Sequence, residues 1–111
     1  MSHPAVPDIA LRYSGEILFL QGAEILCVVA DGSYCRLQFT DRRRYTLSRK
    51  LGEIEAALPD YFLRVHHSHI VNLLHVVKYL KGSAVLVLVD GEELPVSPRY
   101  RRKLLDRFCL L

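Results

Sequence analysis

Three of the five histidines in this chain fall within four positions. They lie in the stretch FLRVHHSHIVN, where Arg64 precedes His66, His67 and His69, and Asn72 closes the run. Imidazoles at this density suit three chemistries: metal ligation, proton transfer, or contact with an acidic surface. On a strand His67 and His69 share a face, roughly 6.5–7 Å apart. Zinc needs a third or fourth ligand, yet the chain has no CxxC or HxxxH, and its three cysteines (Cys27, Cys35, Cys109) lie far from the cluster in sequence. Ser68 sits among the histidines, but no paired acid lies nearby to complete a nucleophilic triad. Contact is the reading left with most support. His67 falls at the tip of a presumed turn, and Ser68 either donates to a phosphate or closes that turn. A second candidate lies at SPRYRRKLLDRFCLL. Ser97 is a good N-cap and Pro98 fits the first helical position, where its missing N–H costs nothing. The N–H groups and positive dipole end there suit a phosphate, with Arg99 or Arg101 adding charge. Arg99, Arg102 and Lys103 otherwise read as a solvated face opposite an apolar stripe of Tyr100, Leu104, Phe108 and Leu111.

These residues need elements to hold them. EILCVVADGSYCRLQF is a solid apolar run to Val29, then Asp31-Gly32, then alternation that puts Cys35, Leu37 and Phe39 on one face. An Asp-Gly between two such runs predicts a hairpin, because glycine accepts positive φ there. A two-residue turn at Asp31-Gly32 sets Ala30 opposite Ser33, Cys35 opposite Val28 and Cys27 opposite Arg36, which argues against a Cys27–Cys35 bridge. DRRRYTL reads as a basic turn and short strand. SRKLGEIEAAL reads as a helix with Leu51, Ile54 and Leu58 at helical spacing, Ser48 as N-cap and Pro59 as its stop. Next come a strand, a tight turn at His67-Ser68, a second strand, a break near Leu73–His75 and a third strand. AVLVLVDGEELPV is a second Asp-Gly hairpin, entered through a turn at Lys81-Gly82-Ser83. The apolar runs Ile25–Val29 and Ala84–Val89 do not alternate, which predicts strands covered on both faces. Strands dominate, so the fold class is mainly β, built of stacked antiparallel sheets with one short internal helix and a C-terminal helix.

The length of 111 residues allows one domain. We expect residues 1–13, with two prolines and no clear period, to be a linker or chain end, and residues 14–111 to form the domain. The net charge is only +3. Its distribution says more: Arg42, Arg43, Arg44, Arg49 and Lys50 form one basic cluster, and Arg99, Arg101, Arg102 and Lys103 another. That is an electrostatic footprint for phosphate. The odd, low cysteine count favours a reducing compartment, and no apolar run is long enough to cross a bilayer. We expect a cytoplasmic domain with no membrane contact, no cofactor and no bound metal.

The order of motifs resembles a known family. EILCVVADGSYCRL, then TLSRKLGEIEAALPDYFLRVHHSHIVNLLHVVKYL, then LVLVDGEELPVSPRYRRKL is similar to the LytTR family of bacterial DNA-binding domains, from about Glu16 to the C-terminus. The resemblance implies an elongated stack of antiparallel sheets and a non-enzymatic function: sequence-specific binding of double-stranded DNA as the output domain of a transcription regulator. Family members insert loops into successive major grooves on one side of the duplex. The resemblance places these loops at Asp31–Tyr34, with Ser33 and Tyr34 in contact; at His66–His69, with His67, Ser68 and His69; and at Ser97–Arg101, with Ser97, Arg99 and Arg101, and Arg102 just beyond. His66 and Asn72 are then structural, bonding turn backbone. The chain departs from the family pattern in three places. His67 stands where arginine is common, His69 where an aromatic is, and Pro98 follows Ser97 where arginine is frequent. A neutral histidine carries no charge and reads bases less uniquely than an arginine on guanine. An upstream receiver or sensor domain and dimeric occupancy of direct repeats are further implications of the resemblance. The competing expectation is a small β-module for a protein or ligand partner, with the basic clusters serving solubility.

Overall fold

A computed structural model describes residues 6–111. Among these residues ten strands and two helices follow one another. A hairpin of β1 (Ile9–Tyr13) and β2 (Glu16–Leu20) leads through a 3-10 turn at Gly22–Glu24 into β3 (Ile25–Asp31), β4 (Tyr34–Phe39) and β5 (Arg44–Leu47). Helix α1 (Leu51–Ala57) precedes β6 (Phe62–His66) and β7 (His69–Asn72). A second 3-10 turn at Leu73–His75 then enters β8 (Val76–Leu80), β9 (Val85–Leu88), β10 (Glu93–Pro95) and α2 (Pro98–Leu105). The central sheet has the order β5-β4-β3-β7-β6. The pair β1-β2 and the trio β10-β9-β8 form two smaller sheets, and all pairings are antiparallel. The mainly β architecture with one internal and one C-terminal helix matches the fold class expected from the sequence.

The central strand β3 explains the layering. Ile25 and Val28 join Leu37, Phe39 and Ile70 in a core closed by Leu11 and Leu20 of the hairpin and by Leu51 and Ile54 of α1. Leu26 and Cys27 belong to a second core with Val65, Val71, Leu86, Leu88, Leu94, Val96 and Leu104. β3 is therefore covered on both faces, as its unbroken apolar run predicted. β9 is not: Leu86 and Leu88 are buried while Val85 and Val87 are half-covered, so the strand has one core face. Residues 9–13, expected as linker, form β1 instead. Leu11 is buried, and Ile9 and Tyr13 pack on the same core, so a period-2 pattern runs on after the two prolines.

Three local details also differ from expectation. The β3–β4 turn has Gly32-Ser33 at its centre, because Asp31 pairs with Tyr34 and Ala30 with Cys35. Gly32 has φ +60°, the requirement of a turn with glycine at its first central position. The same one-residue displacement of the turn sets Cys27 opposite Gln38 rather than Arg36, with a bulge only beyond it, between Ile25 and Cys27, and both buried cysteines are unbridged. Lys50, not Ser48, occupies the N-cap of α1, with no side-chain cap bond; Leu58, extended before Pro59, ends the helix. α2 stops at Leu105, so Phe108 and Leu111 fall beyond it and are exposed rather than extending its stripe. Leu104 is the buried anchor of α2; truncating such a leucine costs about 2–5 kcal/mol.

Candidate nucleic-acid interface

Antiparallel pairing decides which turns are neighbours. β3 runs towards the β3–β4 turn, and β7 starts from the β6–β7 turn beside it, with Val29 opposite His69. The Ala30 N–H donates to the Ser68 carbonyl at 2.8 Å, tying the two turns together. β6 delivers His66 to the same end. The Ser97 N–H donates to the Val65 carbonyl at 3.0 Å, so α2 begins one residue's reach from the histidine turn. All three expected contact segments thus meet at one end of the central sheet.

Within the β6–β7 turn, His66 pairs with His69 across His67-Ser68. The Ser68 N–H donates to His66 Nδ1 at 3.1 Å, which fixes that nitrogen as an acceptor and leaves the proton of a neutral ring on Nε2. His69 Nδ1 lies 3.5 Å from the same atom. The His66 ring is 4.3 Å from that of His67 and 5.2 Å from that of His69, centroid to centroid. Burial lowers the His66 pKa, assisted by the nearby His67 and the Arg64 guanidinium. Burial, with His66 and His67 beside it, lowers that of His69 to about 4. His69 is therefore neutral at pH 7. Arg64 braces the turn from behind. Its Nε donates to the His66 carbonyl at 3.3 Å, its Nη2 donates to the His67 carbonyl at 2.6 Å, and its Nη1 reaches Glu55 at 3.2 Å. The sequence shows Arg64 as a neighbour of the histidines but not this role, which depends on the bulge between Arg64 and His66 and on where α1 places Glu55.

Each expected contact residue can now be placed. Ser33 and Tyr34 are exposed at the first tip, and His67 at the second, while Ser68 and His69 are half-buried beneath it. Ser97 is half-buried at the N-cap of α2 without a side-chain cap bond; Arg99, Arg101 and Arg102 are exposed on the helix. The Arg99 guanidinium lies 5.4 Å above the Tyr100 ring, and Arg102 is 3.8 Å from Asp106. Asn72, by contrast, lies at the opposite end of the sheet. It is fully buried, donating to the Gly22 and Ile25 carbonyls and accepting from the Leu74 N–H, a backbone-bonding role as the sequence suggested.

The basic cluster read as one unit between Arg42 and Lys50 is divided by β5. Arg49 and Lys50 follow its near end and line a cleft with Ser33 and His67. Arg42, Arg43 and Arg44 stand at the far end, where Arg43 is bound to Asp41 at 2.8 Å and Glu24 at 2.9 Å and lies 4.5 Å over Phe39. Among the described residues no three His, Cys, Asp or Glu side chains are grouped to hold a metal. Burial pushes the Cys27 thiol up to about 12, suppressing the thiolate a nucleophile would need.

The geometry is that of a small stacked-sheet domain with two turns and a helix start gathered on one flank rich in arginine and lysine. The LytTr DNA-binding domain model matches residues 15–108, and the chain belongs to that family. Among solved structures it is similar to the LytTr DNA-binding domain of a Bacillus cereus protein assigned as a methyl-accepting/DNA response regulator. The identity is 24%, the TM-score 0.73, and the match covers 88% of this chain and 93% of that one, which shows a shared fold. No curated protein matches. No helix among the described residues is long and apolar enough to cross a membrane.

Proposed function

We propose that the chain binds double-stranded DNA sequence-specifically in the bacterial cytoplasm, as the output domain of a transcription regulator, by inserting its three turns into the major groove. The observation that carries this reading is the convergence of the Gly32-Ser33 turn, the His67-Ser68 turn and the start of α2 on one flank, tied by the Ala30–Ser68 and Ser97–Val65 backbone bonds. Tips on one flank can meet one duplex together; tips on several sides cannot. In this reading Arg99 and His67, both exposed, read base edges. Ser33, Tyr34, Ser68, His69, Ser97, Arg101 and Arg102 support them through phosphate contact or by shaping the tips. A receiver or sensor domain upstream and paired occupancy of direct repeats fit the same role.

Selection of duplexes from a random pool, followed by fluorescence anisotropy across a salt series, tests it. The expected result is an enriched motif, bound more tightly than mixed genomic DNA, with log affinity falling about 0.9 per neutralised phosphate for each unit of log salt. Binding that is absent at micromolar protein and low salt overturns the reading in favour of a β-module for a protein or ligand partner.

A further inference from the structure

We infer that the DNA-binding surface extends past the three turns into the cleft between the Gly32-Ser33 turn and α1, where Arg49 and Lys50 neutralise the phosphate backbone of the duplex. This rests on the DNA-binding reading above. The cleft holds about 660 Å³, and Ser33, His67, Arg49 and Lys50 are among the residues that line it. Two residues at its rim thus belong to the proposed reading turns, which makes it continuous with them. Its charge is lopsided: Arg49, Lys50 and Arg64 line it against one carboxylate, Glu53.

These three cations have different tasks. Arg64 is engaged by Glu55 and by the His66 and His67 carbonyls, so it serves the turn. Arg49 lies 3.5 Å from Glu53 in an exposed pair, which is weak enough for a phosphate to replace. Lys50, also exposed, lines the cleft and carries a compact ammonium suited to a single phosphate oxygen. A groove-reading domain with histidines rather than arginines at its central turn draws its fixed positive charge from elsewhere on the same flank, and this cleft supplies two cations. Such contacts hold the register of the protein on the duplex without reading sequence.

The test is Arg49→Gln/Lys50→Gln in the full chain, with Lys50→Gln alone as the variant that keeps the Arg49–Glu53 pair. Thermal melting checks that both fold. The double variant is expected to lower the salt slope by about 1.8 and the single by about 0.9, with equal fractional loss of affinity for the selected site and for random DNA. Wild-type slopes in both variants overturn the cleft assignment while leaving the DNA reading intact. Failure of the wild-type protein to bind any duplex removes both.

Discussion

The two ends of the central sheet use the same polar side chains in opposite ways. At the far end Asn72 makes three hydrogen bonds to backbone, and Asp8 accepts from the Gly22 N–H at 2.7 Å and from the Tyr61 hydroxyl at 2.6 Å. Arg43 there is bound twice by carboxylates. At the near end two main-chain bonds, Ala30–Ser68 and Ser97–Val65, and two inward-facing side chains, Arg64 and His66, hold the turns, while Ser33, Tyr34, His67, Lys50, Arg99 and Arg101 are exposed. Side chains that complete the fold are unavailable to a partner. The near end leaves its tip side chains exposed because backbone bonds, Arg64 and His66 hold the turns from behind.

The largest expected effect falls at the far end. Asn72→Ala removes three bonds made by a fully buried side chain; the Gly22 carbonyl still accepts from the Ile25 N–H, while the Ile25 carbonyl and the Leu74 N–H lose the amide. An orphaned buried group costs about 1–3 kcal/mol, so we expect a loss of about 2–3 kcal/mol in urea denaturation. The protein that remains folded should keep its preference between selected and random DNA. A variant that keeps its stability but loses that preference would erase the distinction between the ends.

Arg99→Ala should do the reverse. It removes an exposed side chain, so its melting temperature should stay near wild type. A base contact contributes roughly 1–3 kcal/mol of discrimination, and affinity for the selected site should fall by about that much, with little change on random duplexes. Equal losses on both would make Arg99 a phosphate contact.

His69 is the place where the two functions touch. Its folded pKa, about 4, lies below the ordinary 6.5 because burial disfavours the charged ring. The unfolded chain therefore binds more protons between those values, and stability is lost as pH falls through that window. Between pH 7.5 and 6 the loss is about 1 kcal/mol, discounted somewhat because the ring is only half-buried. Denaturation curves at the two pH values should converge in His69→Gln relative to wild type. An unchanged pH dependence would mean that His69 is as accessible as His67.

Much of this contrast was legible in the sequence, and what was not has a physical cause. The unbroken apolar run of β3, the alternation in β4 and the Asn72 amide each act locally or through periodicity, so each could be read. β1 was missed because two prolines mask a strand that begins just after them. The β3–β4 turn slipped by one residue because Asp-Gly-Ser allows glycine to serve as either the first or the second central residue. The histidines were visible as a cluster, yet their burial depends on β3 and α1 packing near them. The division of the basic cluster was half legible: the short strand at DRRRYTL was read, but not that its two ends lie at opposite ends of the sheet, because that depends on its pairing with β4. Arg44 and Lys50 are six positions apart, and the strand between them sends them to opposite ends.

That division gives the smallest predicted effect. If only the near end meets DNA, Arg42→Ala/Arg44→Ala removes two formal charges from the chain but no phosphate contact. The salt slope should then stay within error of wild type, and affinity should shift only by the long-range field, which is weak beyond a Debye length of about 8–10 Å at physiological salt. β4 spans six residues between the two ends, about 20 Å at strand rise, so the arginines lie well outside that range. Stability should change little, since Arg43, left in place, carries both ion pairs of that turn. A slope reduced by about 0.9 per arginine would mean that the duplex also reaches the far end. Contact would then follow the whole edge of β5, and the two ends could no longer be assigned separate work.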